Sequence, residues 1–345
     1  HRQRWRVLAA LALSVVAISL PAWAKRPNMV VLLADDWGYS DVGAFGSEIN
    51  TPHLNQLAQT GVRFSNFHVS ASCSPTRSML LTGVDNHLNG VGNMRETIPQ
   101  SHVGRAGYLS VLNQRVVTVS SLLQDSGYRT YVAGKWHVGK EPHNLPPARG
   151  FDRSLVMGDS GSDNWETGKL YLDLTDKVYW YDNGQEAKMP KEFYSSEYYI
   201  NKTLEYLKAD QNSDKPFFAY IAFQANHIPL QAPQSFIDKY KGRYDKGWDV
   251  LRQERRDKAI ALGLVPANTP MAPLPSTHVA WESLSAQDKA YQARRMEVYA
   301  AMAEAMDFHI GRLLAHLKQT GEYDNTVFVF MSDNGAEASD PYALA

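Results

Sequence analysis

Residues 28–36 read NMVVLLADD, an apolar run that ends directly in two aspartates, Asp35 and Asp36. A continuous apolar run of this length is typical of a parallel strand that is buried on both faces of its sheet. Open α/β sheets bind their ligands at the carboxyl ends of such strands. The stretch therefore predicts a central parallel strand that carries two carboxylates into a candidate site.

Beyond this strand, apolar strand patterns alternate with helical patterns along the chain. This alternation indicates an α/β fold with a mainly parallel central sheet flanked by helices. Two polar stretches, residues 158–191 and 231–288, interrupt it, and we interpret both as excursions over the sheet edge within one domain, residues 25–345. The other predicted elements are helices around residues 52–61, 119–125, 197–209 and 293–317, and strands at residues 64–69, 129–133, 217–223 and 326–331.

The composition is that of an ordinary globular protein and excludes several classes. The 345 residues include 35 Lys and Arg against 36 Asp and Glu, which gives a net charge of −1. A chain with this charge balance lacks the excess of Lys and Arg that is typical of nucleic-acid-binding proteins. Because the chain has one cysteine, it can form neither a disulfide scaffold nor a cysteine-built zinc finger.

The first 24 residues have the layout of a secretory signal peptide. Arg2, Arg4 and Arg6 precede an apolar run of 14 residues, and Ala24 ends a small-x-small pattern suited to cleavage. The alternative is a membrane anchor, but 14 helical residues extend only about 21 Å, which is too short to span a bilayer. We therefore expect an exported bacterial protein, periplasmic or secreted, without stable membrane insertion.

Polar residues follow four predicted strands at the point where each strand ends. A single pair of aspartates more often lies in a solvated turn, but a second pair of oxygen ligands, Asp333 and Asn334, after another strand favours a metal site. Carboxylate and amide oxygens are ligands that suit calcium or magnesium rather than zinc. The residues at these strand ends are Asp35, Asp36, Lys135, His137, His227, Asp333 and Asn334.

The cysteine begins a stretch of eleven residues, 73–83, that reads CSPTRSMLLTG. A buried structural thiol is the commoner fate of a lone cysteine. Here, however, C-x-P-x-R followed by a short helix that ends in Thr-Gly resembles the signature of the type I, formylglycine-dependent sulfatases. The resemblance is closest to bacterial arylsulfatases, and it includes residues 34–36 (ADD), 134–137 (GKWH) and 332–335 (SDNG).

This resemblance implies the fold of the alkaline phosphatase superfamily and the hydrolysis of small-molecule aryl or alkyl sulfate esters to an alcohol or phenol plus sulfate. It implies that a formylglycine-generating maturation enzyme oxidises Cys73, whose hydrated aldehyde is the nucleophile, and that Arg77 stabilises this group once ionised. Lys135 and His227 would bind the sulfate oxygens. His227 would also protonate the leaving group, while His137 would accept a proton from the hydrate. The implied metal is calcium, with magnesium as the alternative, held by Asp35, Asp36, the modified Cys73, Asp333 and Asn334.

The family pattern also includes a further active-site lysine and a small C-terminal sheet domain, both of which would follow Ala345. We therefore expect a chain that is truncated at its C-terminus, with the strand at residues 326–331 inside the sheet. Two other functions stay open. One is a phosphonate monoester or phosphodiester hydrolase of the same superfamily, and the other is a non-catalytic, metal-stabilised binding protein in which Cys73 is unmodified.

Overall fold

The computed structural model describes residues 25–165, 168–169 and 176–336. The predicted signal peptide, residues 1–24, lies outside these described residues. Seven strands in the described part form one sheet. They are β1 (Asn28–Ala34), β2 (Arg129–Lys135), β3 (Arg153–Met157), β4 (Trp180–Asp182), β5 (Gln185–Glu186), β6 (Phe217–Ala222) and β7 (Thr326–Ser332).

The α-helices lie in the connections between β1 and β2, between β5 and β6, and between β6 and β7. Those of the described residues are α1 (Pro52–Thr60), α2 (Cys73–Thr82), α3 (Asn86–Asn89), α4 (Val119–Asp125), α5 (Ser195–Ala209), α6 (Gln234–Ile237), α7 (Gly247–Ala261) and α8 (Ala286–Gln319). Helix α8 begins earlier than its apolar periodicity predicts because Ser285 caps it. The Ser285 hydroxyl accepts a hydrogen bond from the backbone N–H of Asp288 at 3.1 Å.

The strand order is β5-β4-β3-β2-β6-β1-β7. Strands β3, β2, β6, β1 and β7 are mutually parallel, whereas β4 and β5 are antiparallel additions at one edge. The predicted mainly parallel α/β sheet is therefore confirmed. Ala34 at the end of β1 lies opposite Ser332 at the end of β7, so the residues that follow both strands emerge side by side.

Both faces of the sheet are buried, which explains the continuous apolar runs of its central strands. Leu32 and Leu33 point to opposite faces of β1, and neither is exposed. On one face Leu32 belongs to a core that includes Ile200 of α5 and Ile310 of α8. On the other face Leu33 belongs to a core that includes Leu81 of α2.

Several local predictions were wrong. Residues 64–69 do not form a strand, and Phe64 and Phe67 are more than half exposed. Strand β7 is at the edge of the described sheet and not inside it, with Val327 and Val329 alternately exposed. Strand β3 was not predicted at all. The excursion at residues 158–191 supplies β4 and β5, and the one at residues 231–288 supplies α6 and α7.

Candidate active site

Four neighbouring strands, β2, β6, β1 and β7, deliver the predicted site residues to one edge of the sheet. Asp35, Asp36 and Asp333 follow β1 and β7, Lys135 ends β2, and Arg77 reaches the same place from helix α2. All five side chains are buried. Three carboxyl groups thus share one buried volume with two basic side chains, so the acidic groups outnumber the basic ones.

Lys135 is bound to Asp35 through both carboxylate oxygens. Its Nζ donates to Oδ1 at 2.8 Å and to Oδ2 at 2.7 Å. Burial alone would raise the pKa of Asp35, but Lys135 and Arg77 outweigh it and hold that pKa below its ordinary value. Burial opposes the charge on Lys135 as well, and Asp35 more than compensates, so the pKa of Lys135 is raised. Both groups are therefore ionised at neutral pH.

The close approach of β2 to β6 depends on Gly134, the residue before Lys135. Gly134 has φ +120°, and a Cβ added there would lie 1.9 Å from the carbonyl oxygen of Ala222. Only glycine tolerates this backbone contact without a shift of one strand. Gly134 therefore fixes where the chain turns out of the sheet and delivers Lys135.

Arg77 ties the helix of the cysteine motif to both acidic strand ends. Its Nε donates to Oδ2 of Asp333 at 2.9 Å, and an Nη donates to Oδ1 of Asp35 at 3.1 Å. The other Nη donates to the backbone carbonyl of Lys135 at 3.0 Å. Burial opposes its charge, but Asp333 and Asp35 outweigh it and raise the pKa of Arg77. For Asp333 burial dominates instead, and its pKa is raised despite Arg77.

Cys73 occupies the first position of helix α2, one turn before Arg77. Its side chain is 4% exposed, and its Sγ lies 3.7 Å from Oδ1 of Asp36. Burial, reinforced by the neighbouring carboxylates Asp333, Asp35 and Asp36, raises the pKa of this thiol well above its ordinary value, although Lys135 opposes the shift. Because the thiolate is the nucleophilic form, unmodified Cys73 is a poor nucleophile here.

The same cluster has the donor set of a metal site. Asp35, Asp36, Cys73 and Asp333 each offer one ligand atom, and these atoms lie within 4.8 Å of one another. Asn334 donates from its Nδ2 to Oδ1 of Asp36 at 2.6 Å. Two buried oxygens, Oδ2 of Asp36 and Oδ1 of Asn334, have no hydrogen-bond partner among the described residues. Unsatisfied hard oxygens beside an excess of acidic groups fit a divalent cation such as calcium or magnesium.

Each predicted histidine also lies at this edge of the sheet. In His227, Nδ1 donates to the carbonyl of Ile228 at 2.6 Å, which leaves Nε2 facing Oδ2 of Asp36 at 3.6 Å. His137 contacts a different carboxylate, since its Nε2 lies 3.4 Å from Oε1 of Glu96. Burial would raise the pKa of Glu96, but the charge and hydrogen bond of His137 outweigh it and lower that pKa.

A sequence model of the family described as Sulfatase matches residues 27–344. The chain belongs to the sulfatase family. The resemblance seen in the cysteine motif is thereby confirmed over almost the whole sequence that follows residue 26.

Two curated relatives show the extent of the similarity to other sulfatases. The chain is 45% identical over 341 residues to an uncharacterised sulfatase of Schizosaccharomyces pombe, covering 94% of this chain and 60% of that protein. It is 38% identical over 336 residues to an arylsulfatase of Klebsiella aerogenes, covering 97% of this chain and 71% of that protein. The sequence thus spans between 60% and 71% of the lengths of these two sulfatases.

Solved structures confirm the sulfatase fold of the alkaline phosphatase superfamily. The protein Ps i-CgsB, solved in complex with k-i-k-neocarrahexaose, matches with a TM-score of 0.65 and 26% identity, over 90% of this chain and 59% of that one. A phosphonate monoester hydrolase of Agrobacterium radiobacter matches with a TM-score of 0.54 and 20% identity, over 90% and 63%. At that lower identity the second likeness shows the fold alone.

Sequence reasoning missed Glu96, the carboxylate that faces His137. It lies in a short 3-10 helix, Arg95–Thr97, with no recognisable motif, and only the tertiary fold brings residues 96 and 137 together. Among the described helices, none is both long and apolar enough to cross a membrane.

Proposed function

We propose that the protein hydrolyses aryl or alkyl sulfate esters, using formylglycine made from Cys73 and a divalent metal. The observation that carries this proposal is the position of Cys73. Its Sγ lies 3.7 Å from Oδ1 of Asp36, in the one buried cluster of the described residues that combines three carboxylates with Arg77 and Lys135. Burial and the neighbouring carboxylates disfavour the thiolate of Cys73, whereas a hydrated aldehyde would supply hydroxyl groups at the same position.

The charge of the cluster matches the proposed substrate. Fully ionised, Asp35, Asp36 and Asp333 would carry three negative charges against the two positive charges of Arg77 and Lys135. A divalent cation would turn the excess negative charge into a single positive charge, which complements a monoanionic sulfate ester. Asp35, Asp36, Asp333, Asn334 and the modified Cys73 would hold this cation, calcium or magnesium. The bound cation supplies Lewis-acid stabilisation of the charge that develops on the reacting oxygens.

The protein's own side chains then have separable tasks in the proposed reaction. One hydroxyl of the hydrated aldehyde would attack sulfur while the S–O bond to the alcohol breaks. Deprotonation of the second hydroxyl would then re-form the carbonyl while the C–O bond to sulfate breaks, which releases sulfate and restores the aldehyde. Arg77 stabilises the ionised hydroxyl, and Lys135 binds a sulfate oxygen. His227, whose Nε2 faces the cluster, also contacts the sulfate and protonates the leaving oxygen. His137, which lies beside Glu96, accepts the proton of the second hydroxyl in its uncharged form, in which one ring nitrogen is an acceptor.

The family assignment supports sulfate over phosphonate as the substrate. The relatives of named activity include an arylsulfatase at 38% identity, whereas the phosphonate hydrolase shares the fold at 20% identity. Export through a cleaved signal peptide and oxidation of Cys73 by a maturation enzyme complete the proposal.

The test is to express the full-length protein together with a formylglycine-generating enzyme. Mass spectrometry of the peptide that contains residue 73 should show conversion of cysteine to the aldehyde, and a chromogenic aryl sulfate should be hydrolysed much faster than an aryl phosphonate. Cys73→Ala should abolish turnover without unfolding the protein, while Ser72→Ala should retain it. In the described structure the Ser72 side chain makes no capping hydrogen bond. Turnover by Cys73→Ala, or faster phosphonate hydrolysis, would contradict the proposal.

A further inference from the structure

We propose that a buried brace formed by Asp41, Arg255 and Tyr299 positions Asp36 for cation binding. The proposal rests on the metal site of the proposed function, and it assigns roles to three residues outside that site. Arg255 belongs to helix α7, in a polar stretch that the sequence suggested was only an excursion. Tyr299 belongs to helix α8.

Asp41 is the centre of the brace and is 3% exposed. Its Oδ2 accepts a hydrogen bond from the backbone N–H of Gly38 at 2.8 Å and another from the hydroxyl of Tyr299 at 2.6 Å. Its Oδ1 accepts a hydrogen bond from Arg255. The carboxylate therefore closes the loop that follows Asp36 and joins it to two helices.

Arg255 is itself held in a fixed orientation by a second carboxylate. Its Nε and one Nη donate to Glu48 at 2.8 and 2.9 Å, a bidentate pair, and the hydroxyl of Tyr244 donates to the same carboxylate at 2.7 Å. Bidentate guanidinium pairs fix direction as well as distance. Helix α7 thus presents one rigid cation to Asp41.

Tyr299 links the brace to both loops of the site. Its hydroxyl lies 3.5 Å from the carbonyl oxygen of Asp36. Its own carbonyl accepts a hydrogen bond from Nδ2 of Asn226 at 2.8 Å, and the backbone N–H of Asn226 donates to the carbonyl of Asp35 at 2.6 Å. The residue after Asn226 is His227, so helix α8 supports the loop of the acidic pair and the loop of the histidine together.

Asp36 needs such support because its backbone is in the left-handed region, with φ +58°. Non-glycine residues keep this conformation only where their surroundings determine it. Without the brace, the loop after Asp36 could adopt a different backbone conformation. The carboxylate of Asp36 would then leave the position from which it faces Cys73 and His227. Loss of partners that orient a metal ligand typically lowers metal affinity about 10- to 100-fold.

The sign of the effect separates positioning from simple electrostatics. Arg255→Met removes a positive charge near a cation site, so electrostatics alone would strengthen cation binding. Tyr299→Phe changes no charge at all. Positioning predicts weaker binding for both variants, with partial recovery in Arg255→Lys.

The experiment is a titration of the full-length protein with Tb³⁺, a hard cation that binds oxygen ligands as calcium does, followed by competition with Ca²⁺. Tb³⁺ luminescence is excited through tryptophan, and Trp37 directly follows Asp36. We expect Arg255→Met and Tyr299→Phe to weaken Tb³⁺ binding about tenfold or more. The matched control Arg243→Met removes a half-exposed ion pair with Glu254 from the same region and should change the affinity less than twofold.

The outcomes distinguish this proposal from the proposed function. Equal Tb³⁺ affinity in wild type, Arg255→Met and Tyr299→Phe, even with lower melting temperatures, would make the three residues merely structural and overturn the brace alone. Absence of Tb³⁺ binding by the wild type, or unchanged binding by Asp36→Asn, would overturn the metal site and the brace with it.

Discussion

Replacement of Lys135 by methionine tests the charge balance of the site without reference to catalysis. Nζ of Lys135 lies 2.8 and 2.7 Å from the two oxygens of Asp35, and neither side chain is exposed. At an effective dielectric constant of about 20, two unit charges at this separation attract by on the order of 6 kcal/mol. Methionine keeps most of the side-chain volume and removes the charge. The variant therefore isolates the electrostatic contribution of Lys135 to the free energy of unfolding.

The expected cost is smaller than that attraction because desolvation already offsets part of it and Arg77 stays 3.1 Å from Asp35. Removal of one partner of a buried pair usually costs about 3–5 kcal/mol, and we expect about 3 kcal/mol for Lys135→Met at pH 7. The matched control is Lys140→Met, whose ion pair with Asp159 is a quarter exposed on the lysine side. It should cost less than about 1 kcal/mol.

Urea unfolding followed by tryptophan fluorescence, in the presence of a chelator, measures both variants against the wild type. The pKa of Asp35 lies below its ordinary 3.8, because Lys135 and Arg77 outweigh burial. Its ionisation therefore stabilises the fold above pH 3.8, and this contribution is lost as the pH falls through the lower folded pKa. The penalty of Lys135→Met should thus be full at pH 7 and shrink below pH 4. If Lys135→Met lost no more unfolding free energy than Lys140→Met, or if its loss did not depend on pH, the buried ion pair of Lys135 and Asp35 would not stabilise the fold as described.

Three further outcomes are expected. Chelation should lower the melting temperature of the full-length protein and calcium should restore it, because calcium at 100 times its Kd adds about 2.7 kcal/mol; no change in either direction would rule out the metal site. Gly134→Ala should cost at least about 3 kcal/mol in urea unfolding, because its Cβ would meet the Ala222 carbonyl. Gly83→Ala, which meets no described atom within 4 Å, should cost only about 1 kcal/mol, and equal losses would contradict the steric argument. Burial raises the pKa of Asp307 to about 7, so the wild type should lose stability as the pH rises from 4 to 7; Asp307→Asn should flatten that slope, and an unchanged slope would assign it to other groups.

The sequence predicts the central strands well because they are buried on both faces. The apolar runs of β1 and β6 need no knowledge of their partners, and their carboxyl ends are marked by Asp35 and by His227. The edges of the sheet carry weaker signals. Strand β3 is five residues long and begins with Arg153, and β7 is placed at the edge only by pairing that sequence spacing does not encode.

The residues of the site also differ in how well the sequence identifies them. Residues that belong to a local motif, such as Cys73 and Arg77 at one-turn spacing, are identified from the sequence alone. Partners that meet only through tertiary packing are not. Glu96 faces His137 across the fold, and Arg255 reaches Asp41 from a stretch whose composition indicated only an excursion over the sheet edge. Their role depends on distances between loops that no local pattern determines.

The burial of Cys73 has a consequence for biosynthesis. The thiol is 4% exposed at the start of a packed helix, so an enzyme cannot bring it into its own active site while that helix is in place. If Cys73 is converted as proposed, conversion belongs to the newly made chain, before the two acidic strand ends close over the residue. On that proposal, a molecule that folded first would keep its thiol and would stay inactive however stable it is. The yield of active protein would then depend on the rate of Cys73 oxidation relative to the rate of folding.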